Sequence, residues 1–280
     1  MSGLVGADNQ FGRTMGRPDA TAQGLLTSIY DIGCALGCLL SFFWGERFGR
    51  KKMIIAGGSI MIVGTVILGS SYGRAQFYVG RVVTGLGNGI NSSNVPAYQS
   101  EMARPERRGA LLCAQGVVTI VGLCIAYWLD YGLSFLDSPA QWRFPISFQA
   151  FFAVCLVIQM IPLPESPRWL LEHGKTSKAS VILARLQYDY ATEESEEVVM
   201  LRRQIETALE LEHADGPFSY KELFMMGRVQ NLRRMIMCGM INVMQQFTYV
   251  ALLDTEVYFT DLIRSQRQQH DQLLCSHCVY

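Results

Sequence analysis

Apolar runs long enough to cross a lipid bilayer recur along this chain, and their recurrence limits the folds open to it. GLLTSIYDIGCALGCLLSFFW occupies residues 24–44 and MIIAGGSIMIVGTVILGSS residues 53–71. FYVGRVVTGLGNGINSSNVPAY, less continuous, occupies 77–98. ALLCAQGVVTIVGLCIAYWLDYG at 110–132 and FPISFQAFFAVCLVIQMIPL at 144–163 make five, and MIMCGMINVMQQFTYVALL at 235–253 begins a sixth. About 20 apolar residues is the length an α-helix needs to cross the hydrocarbon core. Lipid offers no partner to backbone N–H and C=O groups, so only helices or closed barrels span it. Five or six such runs joined by short polar connectors predict an all-α polytopic membrane protein.

Composition agrees with that reading and excludes others. Charged residues make up 17% of the chain, against about a quarter in soluble domains. The net charge is zero, so no basic field points to nucleic acid. The eight cysteines are scattered, mostly inside apolar runs, which is no disulfide framework. A lone C-x-x-C, CSHC at 275–278, is a weak zinc or redox signal, and neither a metal nor a cofactor is expected. No signal peptide is visible in the polar, Gly-rich first twenty residues. The four histidines lie in polar segments, and no Ser/His/Asp arrangement or phosphate-cradling Gly loop points to an enzyme.

Connector charge predicts orientation. GERFGRKK at 45–52 and SEMARPERRG at 100–109 together carry seven Arg or Lys, whereas the alternating connectors carry only Arg74 and Arg143. Short basic loops stay in the cytoplasm. The expected domains are a polar segment 1–23, a five-helix membrane bundle 24–163, a cytoplasmic helical linker 164–234, a partial further span 235–253 and a tail 254–280. In the linker, Val198, Leu201, Ile205 and Leu209 recur at helical spacing behind the acidic EESEE at 193–197.

Charge inside a membrane is costly and usually functional. Asp31 and Arg81 lie at similar depth near the outer ends of their runs and are candidates for an intramembrane pair. The three inner connectors each carry acids and bases: Glu46, Arg50 and Lys51; Glu101 and Arg108; Glu165 and Arg168. Pairs at a headgroup-depth interface add little stability, so their expected use is to hold one of two helix arrangements, a cytoplasmic gate. Gly85 and Gly89, with Gly87 between, mark a close-packing face. The Asn91-Ser-Ser sequon falls within a span and is expected to be unglycosylated.

Several motifs resemble the sugar porter family of the major facilitator superfamily. GERFGRKK is similar to its loop between helices two and three, GRVVTGLGNG to its fourth helix, and PAYQSEMARPERRG to its P-x-Y-x-x-E then R-G signature. PLPESPRWLL, 162–171, resembles the motif after helix six, and MQQFT, 244–248, the start of the helix-seven motif. Their order over residues 24–248 is what makes the resemblance specific, and the wording of YWLDYG and QWRFPISFQ looks fungal. The resemblance implies a partial major facilitator fold: family helices two to six, the start of helix seven and a cytoplasmic helical segment. It implies alternating access around a hexose-like sugar bound between two bundles, with a proton as coupling ion. It makes Glu46, Arg50, Lys51, Glu101, Arg108, Glu165 and Arg168 gate residues. Gln245 and Gln246 would hydrogen-bond sugar hydroxyls, since a neutral amide both donates and accepts. The family's fifth-helix Gln would fall at Gly116, which makes Gln115, one position away, the candidate. Tyr249, Val250 and Ala251 replace the family's G-I-N, and the following residues diverge. The chain is therefore expected to be truncated at both ends, as an incomplete or inactive form of a plasma-membrane transporter. The alternative is a non-transporting sugar sensor or regulatory membrane fragment.

Overall fold

The structure, a computed structural model, describes residues 20–133, 135, 138, 140–187, 195–213, 232–233, 235–244 and 247. The chain divides into two compact units, Met1–Glu210 and Leu211–Tyr280. In the first unit the apolar runs become α1 (Ala20–Phe48), α2 (Arg50–Gly69), α3 (Arg74–Met102), α4 (Arg108–Leu133) and α5 (Ala140–Met160). Three shorter helices follow: α6 (Pro167–Glu172), α7 (Thr176–Gln187) and α8 (Glu196–His213). The second unit carries a short apolar helix, α9 (Met235–Met244), within the sixth run. Helices α1, α2, α4 and α5 are long and apolar enough to cross a membrane.

Helices α1, α3 and α4 run past their apolar segments at both ends, and α2 and α5 at their N-terminal ends, because interfacial charged residues tolerate helix as well as loop. The connector read as residues 45–52 shrinks to one residue. GERF forms the last turn of α1, RKK the first turn of α2, and only Gly49 lies between. Gly49 has φ 89°, a left-handed conformation that side chains with a Cβ avoid.

Helix α3 is the middle of the bundle. Its glycine, Asn and Ser content makes it less apolar than its neighbours, and it packs against both α1 and α2. Gly85 and Gly89 face α1, where an added Cβ would collide with the carbonyl oxygens of Tyr30 and Cys34. Gly33 of α1 returns the contact, an added Cβ there lying 2.5 Å from Val82 O. Gly87 faces α2 instead, with an added Cβ 2.6 Å from Gly57 O. The sequence reading treated these three glycines as one packing face; the structure splits them between two neighbours, since positions two apart on a helix point to opposite sides.

Side chains complete the packing above and below the glycines. At one end Leu26, Leu68, Phe77, Trp142 and Ile146 form a buried cluster from α1, α2, α3 and α5. At the other, Ile54, Tyr98 and Met160 are buried with Val95, Met102 and Leu156 against them. Two buried amides bond between them. Asn94 donates to Ser41 Oγ at 2.6 Å and to Ile90 O at 2.7 Å. Asn91, in the amide orientation that satisfies its neighbours, donates to Ile54 O at 3.0 Å and accepts from Gly58 N at 3.3 Å. The sequon asparagine thus points from α3 onto α2 inside the bundle. By contrast, α4 buries none of its residues, exposing Val118, Ile120 and Trp128.

The predicted helical stripe of the linker is present. Val198 packs with Leu183 and Ala184, Leu209 with Leu170, Leu171 and Ala179, and Ile205 touches both groups. Glu196 and Glu197 stand in the first turn of α8, where the helix dipole favours acids. Through Glu210 this helical layer belongs to the same compact unit as the bundle.

Because the obstacle at Gly89 is a backbone carbonyl, Gly89→Ala is expected to destabilise the detergent-purified protein by about 1–3 kcal/mol. Gly122→Ala on α4, where an added Cβ meets nothing within 4 Å, is expected to stay within about 0.5 kcal/mol. Thermal unfolding of the two variants side by side checks both.

Candidate functional site

The charged residues of the three inner connectors converge on the end of the bundle that carries α6–α8. The turn at Gly49 brings Glu165 against the start of α2: a Cβ at residue 49 would stand 2.8 Å from Glu165 Oε2. Glu165 Oε1 accepts the backbone N–H of Lys51 at 2.9 Å and that of Ser166 at 3.2 Å. The first N–H groups of a helix lack intrahelical acceptors, and Gly49 has no side chain to supply one. A carboxylate from 114 residues downstream supplies it, at the positive end of the helix dipole. Lys51 answers in the reverse direction. Its Nζ donates to Ile161 O at 2.8 Å, a carbonyl just past the end of α5. The N-terminus of α2 and the C-terminus of α5 therefore cap each other.

Three further bonds tie the same end together. Trp169 Nε1 donates to Glu46 O at 2.6 Å, so Glu46 enters through its backbone carbonyl. Tyr98 donates its hydroxyl hydrogen to Pro164 O at 2.8 Å. Arg104 Nε donates to Leu186 O at 2.8 Å, at the end of α7, where unpaired carbonyls favour a cation. One ion pair crosses from α2 to α3, Arg50 Nε to Glu101 Oε1 at 3.6 Å, with both side chains largely covered. Each neutral hydrogen bond of this kind is worth about 0.5–1.5 kcal/mol net.

Glu101 also lines a pocket of about 420 Å³ with Ser100, Arg108, Arg168, Gln204 and Ile205. Its Oε2 is buried there without a hydrogen-bond partner among the described residues. Arg108 Nε donates locally to Ala103 O at 3.3 Å, and Arg168 is exposed. Of the seven predicted gate residues, Glu46, Arg50, Lys51 and Glu165 are bonded into the inner end of the bundle. Glu101 belongs both to that end and to the pocket, and Arg108 and Arg168 line the pocket.

The remaining candidates lie apart from this end. Arg81 is 9% exposed on α3, its guanidinium 5.3 Å over the ring of Tyr30 and 5.7 Å over that of Phe77. Such placement offsets part of the cost of burying the charge. Asp31, next to Tyr30, is exposed. Gln115 is half-buried on a helix whose neighbouring residues are exposed. Gln245 and Gln246 lie outside the described residues, as does CSHC. Among the described residues no group of three or more His, Cys, Asp or Glu could hold a metal ion.

The sequence assigns no role to Tyr98, Trp169 or Gly49, and marks Arg104 only as one of the basic residues anchoring the inner face, without its bond to Leu186 O. Three of these four act through backbone carbonyls, which leave no trace in residue type. Gly49 had a signal: a single glycine between two charged helical ends.

Because Glu165 caps α2, Glu165→Ala is expected to lower stability by about 0.5–2 kcal/mol. Glu165→Gln, which keeps an acceptor oxygen, is expected to lose less. Melting curves of the two variants, compared with wild type, test the order.

Comparison with known proteins extends this picture. A family model described as sugar (and other) transporter matches residues 6–271. Sugar transporter STL1 of Saccharomyces cerevisiae is 42% identical over 240 residues, covering 83% of this chain and 41% of that protein. High-affinity glucose transporter 1 of Candida albicans is 30% identical over 224 residues, covering 80% of this chain and 41% of that protein. This chain thus spans about two fifths of the length of these relatives. Among solved structures, the partially occluded inward open conformation of the xylose transporter XylE from E. coli superposes with TM-score 0.61 at 21% identity. That match covers 69% of this chain and 49% of the other, and shows a partial major facilitator fold. Its relatives are transporters rather than enzymes. The chain belongs to the sugar (and other) transporter family, and so to the multi-pass integral membrane proteins.

Proposed function

We propose that this chain supplies helices two to six of the first bundle of a protein that moves a hexose-like sugar across the plasma membrane by alternating access. The observation that carries the proposal is the bonded inner end. Alternating access by rocking needs a bundle that turns as one body. Here α2 and α5 cap each other, and α1, α3 and the α6–α7 layer are bonded to them. The family supports the substrate class, as do relatives named for sugar and glucose transport. The basic connectors favour the α6–α8 end as the cytoplasmic one.

In this reading Glu101 is the gate acid. One of its oxygens is held by Arg50, and the other is buried without a hydrogen-bond partner among the described residues. Arg108 and Arg168 line the same pocket and contribute its positive charge. Glu46, Arg50, Lys51 and Glu165 keep that end rigid. Gln115, Gln245 and Gln246 offer amides for sugar hydroxyls. Proton coupling is the finer part of the proposal. Asp31 is the exposed carboxylate beside the buried Arg81–Tyr30 contact, and a proton:xylose symporter shares the fold.

The test is radiolabelled glucose uptake in yeast lacking its own hexose transporters. The 280-residue chain is compared with a longer protein in which a relative's first helix precedes it and a relative's second bundle follows it. Uptake is expected from the longer protein and not from the chain alone, and uptake by the chain alone would overturn the two-bundle requirement. In the longer protein Glu101→Gln is expected to reduce uptake by about tenfold or more, on the scale of a lost charge-assisted bond. Asp31→Asn is expected to abolish the rise of uptake at acidic external pH. Saturable sugar binding without uptake by the longer protein would favour the sensor reading.

A further inference from the structure

Four lysines gather on one side of the inner end and take no part in the pocket around Glu101. Lys51 and Lys52 open α2, Lys175 precedes α7, and Lys178 lies in its first turn. Together with Glu165 and Trp169 they line a pocket of about 400 Å³. Lys52, Lys175 and Lys178 are exposed. The one acid in the set is already engaged, since Glu165 Oε1 takes two backbone N–H groups. The Lys51 ammonium is held by Ile161 O and the Lys175 ammonium lies 5.0 Å over the Trp169 ring. Formally, four positive charges face one negative charge in a pocket bounded by three separate segments of chain.

Depth decides what such a pocket meets. Lys51 and Lys52 are the second and third residues of a spanning helix, and Pro164 and Glu165 follow shortly after the end of another. That is the level at which hydrocarbon gives way to lipid headgroups, and Trp169 is of the residue type that favours this boundary. Along α2 a stripe of exposed residues begins at Lys52 and continues through Ala56, Ser59, Val63 and Val66. Steps of four and three residues keep them on one helix face. A phosphoryl group in the lysine pocket would thus have an uncovered, mainly apolar surface running from it toward the bilayer centre, where acyl chains lie.

We propose that the pocket formed by Lys51, Lys52, Lys175 and Lys178 binds the headgroup of an anionic phospholipid, with the acyl chains along the exposed face of α2. The lipid bridges the start of α2 to α7 and holds the α6–α7 layer to the bundle. This site is separate from the sugar path and stands whether or not the chain transports. The stripe below Lys52 is the reason for naming a lipid rather than a soluble phosphate, and juxtamembrane lysines each add to the attraction of anionic lipid.

The experiment is native mass spectrometry of the purified 280-residue chain with phosphatidylserine or phosphatidylcholine of identical acyl chains. Wild type is expected to retain phosphatidylserine preferentially, by about tenfold. Lys52→Gln, Lys175→Gln and Lys178→Gln combined are expected to abolish the preference, and the matching Lys→Arg set to keep it. Arg185→Gln with Arg203→Gln, exposed on α7 and α8, removes charge outside the pocket and is expected to leave the preference intact. Should the triple variant not fold, Lys178→Glu alone, on the exposed side of α7, is expected to cut the preference by about fivefold. Equal retention of the two lipids by wild type would overturn the proposal. So would a loss of preference in the Arg185/Arg203 control as large as in the lysine variants. Displacement of phosphatidylserine by millimolar inorganic phosphate would assign the pocket to a soluble anion and overturn the lipid assignment.

Discussion

The contact of backbone against backbone along α3 is the constraint on which the bundle depends. In water, helices are pressed together by the apolar surface they hide. In lipid the solvent is as apolar as the side chains, and association must come from close packing and hydrogen bonds. Helix α3 meets that requirement on two sides, with Gly85 and Gly89 against α1 and Gly87 against α2. Where glycine brings main chains near, Asn91 and Asn94 reach across short gaps and find partners. The same close approach explains why α3 is less apolar than the helices around it. A helix surrounded by protein has no need to present a greasy surface to lipid, and α3 is free to carry Asn, Ser and a buried Arg81.

The inner end follows a different rule. There the helices reach the headgroup region, and the unsatisfied N–H and C=O groups of their ends need partners. The protein uses long-range polar contacts for this: Glu165 for the start of α2, Lys51 for the end of α5, Arg104 for the end of α7. A side chain that caps a distant helix does two things at once. It removes the cost of an unpaired terminus, and it ties the two segments in space. The expected acid–base pairs are present as residues, but several are spent on backbone groups, and Arg50–Glu101 pairs charge with charge.

Much of the fold was legible because it rests on run length. The first five apolar runs fall on α1–α5, three of them wholly inside their helix and two overrunning its C-terminal end by two or three residues, and Val198, Leu201, Ile205 and Leu209 foretold the packed face of α8. The partition of the glycines was not legible, because spacing shows that residues share a helix side without showing which neighbour that side meets. At the inner end, residue types pointed to the location and not to the partners. Glu165 reads as an acid beside Arg168, and nothing in its neighbourhood in sequence says that it reaches residue 51. Tyr98 and Trp169 are silent for a similar reason: their partners are carbonyls, which every residue has.

The turn at Gly49 has a mechanical meaning. Loops of several residues between helices act as slack, absorbing a tilt on one side before it reaches the other. A one-residue joint in a left-handed conformation has almost no slack. With Glu165 seated against it and Trp169 fastened to the last turn of α1, α1 and α2 behave as two arms of one bent lever. Such a joint couples the tilt of one arm to that of the other at the charged inner end, where a longer loop would let each move separately.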